Sequence, residues 1–136
     1  MQIYNDVSQM LVSGQRNRIV IIDDDPDTAE LFSEGLEMVG YKTIAFDDPE
    51  EAIDYISLNH SEIALTTVDW WMPLIDGFRI IRLISDLDSK IRFLLISGYD
   101  LTQEQLKANN NVSYLKKPIK ISELIESVKK ELIQSQ

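Results

Sequence analysis

Five polar residues stand at positions where they could act together on a phosphoryl group. Asp23 and Asp24 follow one short apolar run, and Asp69 follows another. Ser97 and Lys117 each come at the end of a further run. Three carboxylates brought to one place repel one another, so such a site needs a cation. Oxygen ligands without cysteine or histidine favour a hard ion, Mg²⁺ or Mn²⁺.

One carboxylate of such a site can attack phosphorus and form an acyl phosphate. Asp69 is the best candidate because it stands alone at the end of its run. Asp23 and Asp24 are adjacent and form the better metal-binding pair. The hydroxyl of Ser97 and the ammonium of Lys117 would then bind the phosphoryl oxygens together with the metal.

The elements that must position these residues alternate along the chain. Five apolar runs have the length and composition of strands: 19–22, 41–46, 63–68, 91–96 and 112–115. Helical patterns lie between them, and their starts are marked by Asp25-Pro26, by Asp48-Pro49 and by the capping box Thr102-x-x-Gln105. This alternation predicts a doubly wound α/β fold with helices on both faces of a parallel sheet. Ligands bind at the carboxyl edge of such a sheet, where the polar residues would converge.

Composition and charge narrow the function further. The 136 residues fit a single domain, and the net charge of −10 argues against direct binding of nucleic acid or insertion at an anionic membrane. No cysteine is present, no apolar run is as long as a membrane span, and no lysine or arginine precedes Arg16. We therefore expect a cytoplasmic protein.

Four sequence fragments resemble a known family, the receiver domain of two-component response regulators. They are "IVIIDDDPD", "VDWWMPLIDG", "LLISG" and "YLKKPI", in this order and with appropriate spacing. The resemblance covers about residues 18 to 134 and implies a flavodoxin-like, five-stranded parallel sheet of order 2-1-3-4-5. It also implies a receiver domain over residues 18–136, without an output domain, and a cis peptide bond between Lys117 and Pro118.

The family's metal and acceptor positions carry over onto four residues of this sequence. Asp69 resembles the phosphoacceptor, and Asp24 resembles the direct Mg²⁺ ligand. Asp23 matches the partner that acts mainly through water. Trp71 would contribute only its backbone carbonyl to the metal.

Further positions match the family's switch and its control of phosphoryl lifetime. Ser97 resembles the switch hydroxyl, Lys117 the phosphoryl-binding lysine and Tyr114 the aromatic switch residue. Trp71 and Tyr99 stand two positions after the acceptor and the switch hydroxyl, where they flank the path of the attacking water. Two aromatics of this size predict a shield over the acyl phosphate, although they could also merely cover apolar surface.

The resemblance implies a phosphorylation-dependent signalling switch. A histidine kinase or a histidine phosphotransfer protein would supply the phosphoryl group to Asp69, and the change would alter the surface that binds an unknown downstream protein. Self-phosphorylation and self-dephosphorylation are expected, but not turnover of a separate substrate. Whether the protein forms a homodimer stays open.

Three alternatives compete with this hypothesis. A haloacid-dehalogenase-like phosphatase also uses an Asp-x-Asp motif, a later hydroxyl and a lysine, but it needs a further acidic pair and the chain has no aspartate beyond Asp100. A degenerate receiver would serve only as a docking module. A dinucleotide-binding fold lacks support because Gly-x-Gly-x-x-Gly is absent after the first strand. His60, the only histidine, is predicted to lie outside the site.

The N-terminal segment, residues 1–17, allows two interpretations. Apolar residues at positions 3, 7, 10 and 11 have helical spacing and could form a short amphipathic helix. A tail that ends at Ser13-Gly14 is the favoured interpretation.

Overall fold

The structure is a computed structural model and describes residues 16–110 and 112–134. Within these residues, five strands alternate with five α-helices. In chain order they are β1 (Arg18–Ile22), α1 (Pro26–Met38), β2 (Lys42–Phe46), α2 (Pro49–Asn59), β3 (Ile63–Asp69), α3 (Gly77–Leu87), β4 (Arg92–Ser97), α4 (Gln103–Ala108), β5 (Ser113–Lys116) and α5 (Ile121–Gln134). A short 3₁₀ turn over His60–Glu62 precedes β3. Among the described helices, none has the length and apolar character needed to cross a membrane.

The strands form one parallel sheet of order β2-β1-β3-β4-β5. This confirms the predicted order 2-1-3-4-5. The register pairs Asp69 with Ile96 and Ser97 with Lys116, so the last residues of β3, β4 and β5 lie side by side. The carboxyl edge of the sheet is therefore where the predicted polar residues meet.

Local hydrogen bonds explain where the helices begin. The Asp25 carboxylate accepts from the amide of Asp27 (3.2 Å) at the start of α1. Asp48 has the same role at the start of α2, and Thr102 forms the predicted capping box at the start of α4. Each cap satisfies a backbone donor that has no partner inside the helix.

The core lies on both faces of the sheet because side chains of a strand alternate between its faces. In β1, Ile19 and Ile21 pack with α1 and α5, while Val20 and Ile22 pack with α2 and α3. All four of these side chains are buried. The continuous apolar run in β1 follows from burial on both faces.

The observed strands differ slightly from the predicted runs. Strand β2 begins at Lys42, because Tyr41 is still tied to the end of α1 by a hydrogen bond from its amide to the carbonyl of Leu36 (3.2 Å). Gly40, between them, has a φ of 102°, a conformation that favours glycine. The prediction for residues 1–17 lies outside the described residues, except for Arg16 and Asn17.

Candidate functional site

Three carboxylates meet at the carboxyl edge of the sheet. Oxygen atoms of Asp23, Asp24 and Asp69 all lie within 4.8 Å of one another. Asp23 and Asp69 are buried, whereas Asp24 is exposed. The backbone amide of Asp25 donates to Asp23 (2.9 Å) and fixes the orientation of that carboxylate. A compact set of oxygen ligands with one side open to solvent fits a hard divalent cation such as Mg²⁺.

Lys117 brings a positive charge to this cluster from the end of β5. Its Nζ lies 3.1 Å from a carboxylate oxygen of Asp23 and 3.6 Å from one of Asp69. Burial works to lower the pKa of Lys117, but the two carboxylates outweigh it and raise the pKa above its ordinary value. Lys117 therefore stays protonated and partly compensates the three negative charges.

Asp69 has the most perturbed carboxyl group of the site. Burial raises its pKa to about 7, and the negative charges of Asp23 and Asp24 act in the same direction. Lys117 opposes this rise without cancelling it. Ionisation of Asp69 is therefore unfavourable in this environment unless a further positive charge, such as a metal ion, binds nearby.

The loop after Asp69 is fixed by the backbone of Trp70. Its amide donates to the carbonyl of Ile96 (2.8 Å), and its carbonyl accepts from the amide of Gly77 (2.7 Å). A Cβ atom on Gly77 would lie 2.8 Å from the Trp70 Cα and 3.0 Å from the Asp69 carbonyl oxygen. Only glycine fits this close approach, a role that the sequence analysis missed. The Asp76-Gly77 pair was the available signal, since a helix cap followed by glycine marks a tight entry into a helix.

Ser97 lies at the end of β4 and is fully buried. Its hydroxyl donates to the carbonyl of Tyr99 (2.8 Å) and accepts from the amide of Tyr99 (2.9 Å). The carbonyl of Ser97 accepts from the amide of Lys117 (2.7 Å), which joins the two strand ends. Ser97 therefore lies beside Lys117 at the carboxyl edge of the sheet, and its hydroxyl is hydrogen-bonded to the backbone of Tyr99.

An aromatic cluster is formed by residues that follow the ends of β3 and β4. The ring of Trp70 lies 5.5 Å from that of Tyr99 and 6.4 Å from that of Phe78. Trp71 contacts Tyr99 edge-on at 6.4 Å between ring centres. Trp71 and Tyr99 are 58% and 56% exposed, so solvent still reaches both. The structure brings together the two aromatics that the sequence singled out.

Tyr114 stands in β5, opposite Leu95 of β4. It is half-buried and packs against the core on the α3 side of the sheet, together with Phe93 and Leu106. The peptide bond between Lys117 and Pro118 is cis, as the resemblance implied.

Comparison with known proteins places this chain among signalling domains. The family model described as "Response regulator receiver domain" matches residues 19–129. The response regulator receiver protein CpdR of Brucella abortus (strain 2308) is 27% identical over 118 residues, which cover 85% of this chain and 97% of that protein. Sporulation initiation phosphotransferase F of Bacillus subtilis (strain 168) is 28% identical over 118 residues, 85% of this chain and 93% of that protein.

A solved structure supports the fold. The CheY-like receiver domain protein of Methanospirillum hungatei JF-1 superposes with a TM-score of 0.78 at 22% identity, covering 88% of this chain and 95% of that one. The family match does not favour the phosphatase alternative.

Proposed function

The chain belongs to the family of response regulator receiver domains, and on this basis we propose that Asp69 is the residue that accepts the phosphoryl group. The family functions in phosphorylation-dependent, two-component signalling. The observation that carries the proposal is the setting of Asp69, which lies within 4.8 Å of two other carboxylates and 3.6 Å from Lys117. Asp69 also ends the central strand β3, between the residues contributed by β1 and β5.

Receiver domains bind Mg²⁺ at an acidic pocket, and in this chain we assign the ligands to Asp23, Asp24, Asp69 and the backbone carbonyl of Trp71. The support is the all-oxygen donor set and the raised pKa of Asp69, which together call for a hard cation. Mg²⁺ or Mn²⁺ would supply positive charge that keeps Asp69 ionised and offsets the charge of the phosphoryl oxygens.

The proposed transfer step needs little covalent chemistry from the protein. An oxygen of Asp69 forms a bond to phosphorus while the bond from phosphorus to the imidazole nitrogen of a phosphohistidine breaks, and that electron pair returns to the imidazole. Lys117 and the hydroxyl of Ser97 bind phosphoryl oxygens. The phosphoryl donor is a histidine kinase or a histidine phosphotransfer protein. The transfer takes place in the cytoplasm. The protein catalyses its own phosphorylation and dephosphorylation and no further turnover.

The same geometry suggests how the surface changes. Once a phosphoryl group sits on Asp69, the Ser97 hydroxyl moves toward it, and Tyr114 fills the space that is vacated. The two coupled side chains form a bistable element that a downstream protein can read.

We further assign Trp71 and Tyr99 to the lifetime of the phosphorylated state. Their rings contact each other, and the two residues follow Asp69 and Ser97, the last residues of β3 and β4, by two positions. Neither side chain can act as a general base at neutral pH, because the indole has no acceptor and the phenol is protonated. The pair therefore shields the acyl phosphate from water.

A labelling experiment tests the assignment of Asp69. The protein is incubated with phosphoramidate or acetyl phosphate, with Mg²⁺ or with EDTA, and the label is checked for sensitivity to hydroxylamine. We expect labelling with Mg²⁺ and none with EDTA. Asp69→Asn should lose the label, because an amide cannot form the acyl phosphate.

The matched control is Asp54→Asn, which removes an exposed carboxylate from α2 and should label like the unaltered protein. Hydroxylamine-sensitive labelling of Asp69→Asn would identify another acceptor and refute the assignment.

A further inference from the structure

An apolar groove lies between the first turns of α2 and the loop that connects β3 to α3. Its apolar wall is formed by Pro49 and Ile53 on one side and by Pro73, Leu74 and Ile75 on the other. The space that they enclose measures about 480 Å³. This volume lies in the range of pockets that bind a small ligand, about 300–1,000 Å³, and is large enough to admit an aliphatic side chain. We call it the α2 groove.

Leu74 is the unusual member of the α2 groove. Its side chain is 97% exposed, although it stands in a loop held at Trp70 and Gly77 by a backbone hydrogen bond. Burial of apolar surface is stabilising, and the Leu74 side chain gains this stabilisation only when a partner covers it. A contiguous exposed apolar surface of this kind marks a site of interaction.

The rim of the α2 groove is acidic. Asp24, Asp47, Asp48 and Glu50 line it together with the apolar residues. None of the four forms a salt bridge with a lysine or arginine in the part of the chain that the structure describes. Asp24 belongs to the carboxylate cluster beside Lys117, but the charges of Asp47, Asp48 and Glu50 stand next to the apolar wall without a described lysine or arginine partner. The ligand of the groove should therefore combine an apolar group with positive charge.

The chain itself does not provide a matching terminal segment. Residues 1–15 contain no lysine or arginine, and residues 135–136 are Ser and Gln. A second copy is disfavoured because each chain carries a net charge of −10 and the copies repel. The acidic rim therefore favours a segment of another protein that carries lysine or arginine.

We propose that the α2 groove binds a segment of a partner protein that inserts a large aliphatic side chain between lysine or arginine residues. The aliphatic side chain packs on Ile53, Leu74 and Ile75, and the cations pair with Asp47 and Glu50. Leu74 is the anchor on this side of the interface, since it gains the most buried apolar area. This interaction is separate from phosphoryl transfer and needs no phosphoryl group on the protein.

Nuclear magnetic resonance of the full, ¹⁵N-labelled chain tests the proposal without Mg²⁺ and without a phosphodonor. The probe is a short blocked peptide with leucine at its centre and two arginines on each side. Its titration should saturate and shift the amides of Ile53, Leu74 and Ile75. Leu74→Ser should weaken binding at least tenfold. Leu58→Ser is the matched control, because Leu58 is 84% exposed near the end of α2 but does not line the groove, and it should leave the affinity unchanged.

Charge variants test the second half of the proposal. Asp47→Asn combined with Glu50→Gln should weaken binding several-fold, whereas Asp54→Asn combined with Asp86→Asn, at equal net charge, should not. Three results would overturn the proposal: no saturable binding, equal affinity for a peptide with serine in place of leucine, or equal loss in both charge variants. Self-association of the unaltered chain that Leu74→Ser abolishes would also overturn it, since the occupant would then be a second copy. None of these results bears on labelling of Asp69.

Discussion

The hydroxyl of Ser97 is held by the backbone of Tyr99 in two directions, donating to its carbonyl at 2.8 Å and accepting from its amide at 2.9 Å. Before phosphorylation, the Ser97 hydroxyl of the proposed switch is therefore already engaged in two hydrogen bonds. Binding a phosphoryl oxygen requires that Ser97 release at least one of these bonds, which frees the turn that carries Tyr99. In the proposed switch, phosphorylation of Asp69 would therefore change the position of Tyr99 through Ser97.

Hydrogen exchange at the Tyr99 amide tests that link. Beryllofluoride with Mg²⁺, which mimics a phosphoryl group, should speed exchange of this amide as the Ser97 hydroxyl turns away. In Ser97→Ala the exchange should be fast from the outset and respond little to the mimic. The same variant should lose about 1–3 kcal/mol of stability, because it removes both hydrogen bonds between the Ser97 hydroxyl and the Tyr99 backbone. Ser97→Thr keeps a hydroxyl and serves as the control. Identical exchange with and without the mimic in the unaltered protein would contradict the link.

The raised pKa of Asp69 predicts a pH dependence of stability in the metal-free protein. A carboxyl group whose pKa rises on folding to about 7 binds more protons in the folded than in the unfolded state between pH 4 and 7. Stability therefore falls as the pH rises through that range. Asp69→Asn removes this loss, so its stability should exceed that of the unaltered protein by at least about 1.4 kcal/mol at pH 8.

Urea unfolding in EDTA at pH 5 and pH 8 measures this effect. The gain from Asp69→Asn should be clearly larger at pH 8 than at pH 5, because the loss grows as the pH rises toward 7, and Mg²⁺ should reduce it at pH 8. Asp54→Asn, on the exposed side of α2, should show no such trend. An equal gain at both pH values would mean that Asp69 ionises at its ordinary pKa.

The fold and the acidic cluster could be predicted because their signals are local. Asp25-Pro26 and Asp48-Pro49 each start a helix through neighbouring backbone amides, and Asp69 ends a run of apolar residues. Parallel strands then bring such ends to one edge whatever the intervening loops do.

Contacts between residues that are distant along the chain could not be predicted from the sequence. Arg16 and His60 both bind Asp88, at 3.0 Å and 2.8 Å, although the three residues stand far apart along the chain. The hydrogen bonds between the Ser97 hydroxyl and the backbone of Tyr99 were also not predicted, because a Ser-Gly pair occurs in many kinds of turn. Side-chain partners of this kind depend on the packed arrangement of strands and not on a residue's neighbours in the chain.

Asp88 should contribute strongly to stability at the edge of the sheet opposite the site. Burial works to raise its pKa, but hydrogen bonds from His60, the Lys90 amide and Arg16 outweigh it and lower the pKa below its ordinary value. Such a group stabilises the fold above its unfolded pKa of about 3.9, and the contribution is lost as the pH falls through the lower folded value.

Asp88→Asn should therefore cost about 2 kcal/mol at pH 7, since it leaves the Arg16 guanidinium without its carboxylate. Urea titrations at pH 7, 5 and 3 give the dependence, and the cost should shrink only toward pH 3. Asp86→Asn, an exposed neighbour on α3, is the control. A cost that is the same at pH 3 and pH 7 would show that charge on Asp88 is unimportant.

The exposed pair Trp71 and Tyr99 gives the last prediction, on the lifetime of the acyl phosphate. Water must reach phosphorus in line with the Asp69 oxygen that leaves. The rings of Trp71 and Tyr99 contact each other edge-on at 6.4 Å, and the proposal is that they stand beside that approach. Trp71→Asn and Tyr99→Glu replace bulk with groups that can hold and orient water, while the backbone carbonyl of residue 71 stays in place. Each variant should lose label faster after removal of the donor. A tenfold change corresponds to about 1.4 kcal/mol in the barrier.

The decay is measured with Mg²⁺ present and is compared with the rate of labelling, because a wider pocket can also admit the donor faster. Leu87→Ser is the control: it removes another exposed apolar side chain, at the far end of α3, and should leave the decay unchanged. Faster decay in both aromatic variants with an unaltered control would place the shield at Trp71 and Tyr99. Unchanged or slower decay in both would mean that these rings only cover apolar surface, and that the acyl phosphate is protected, if at all, by the buried position of Asp69 itself.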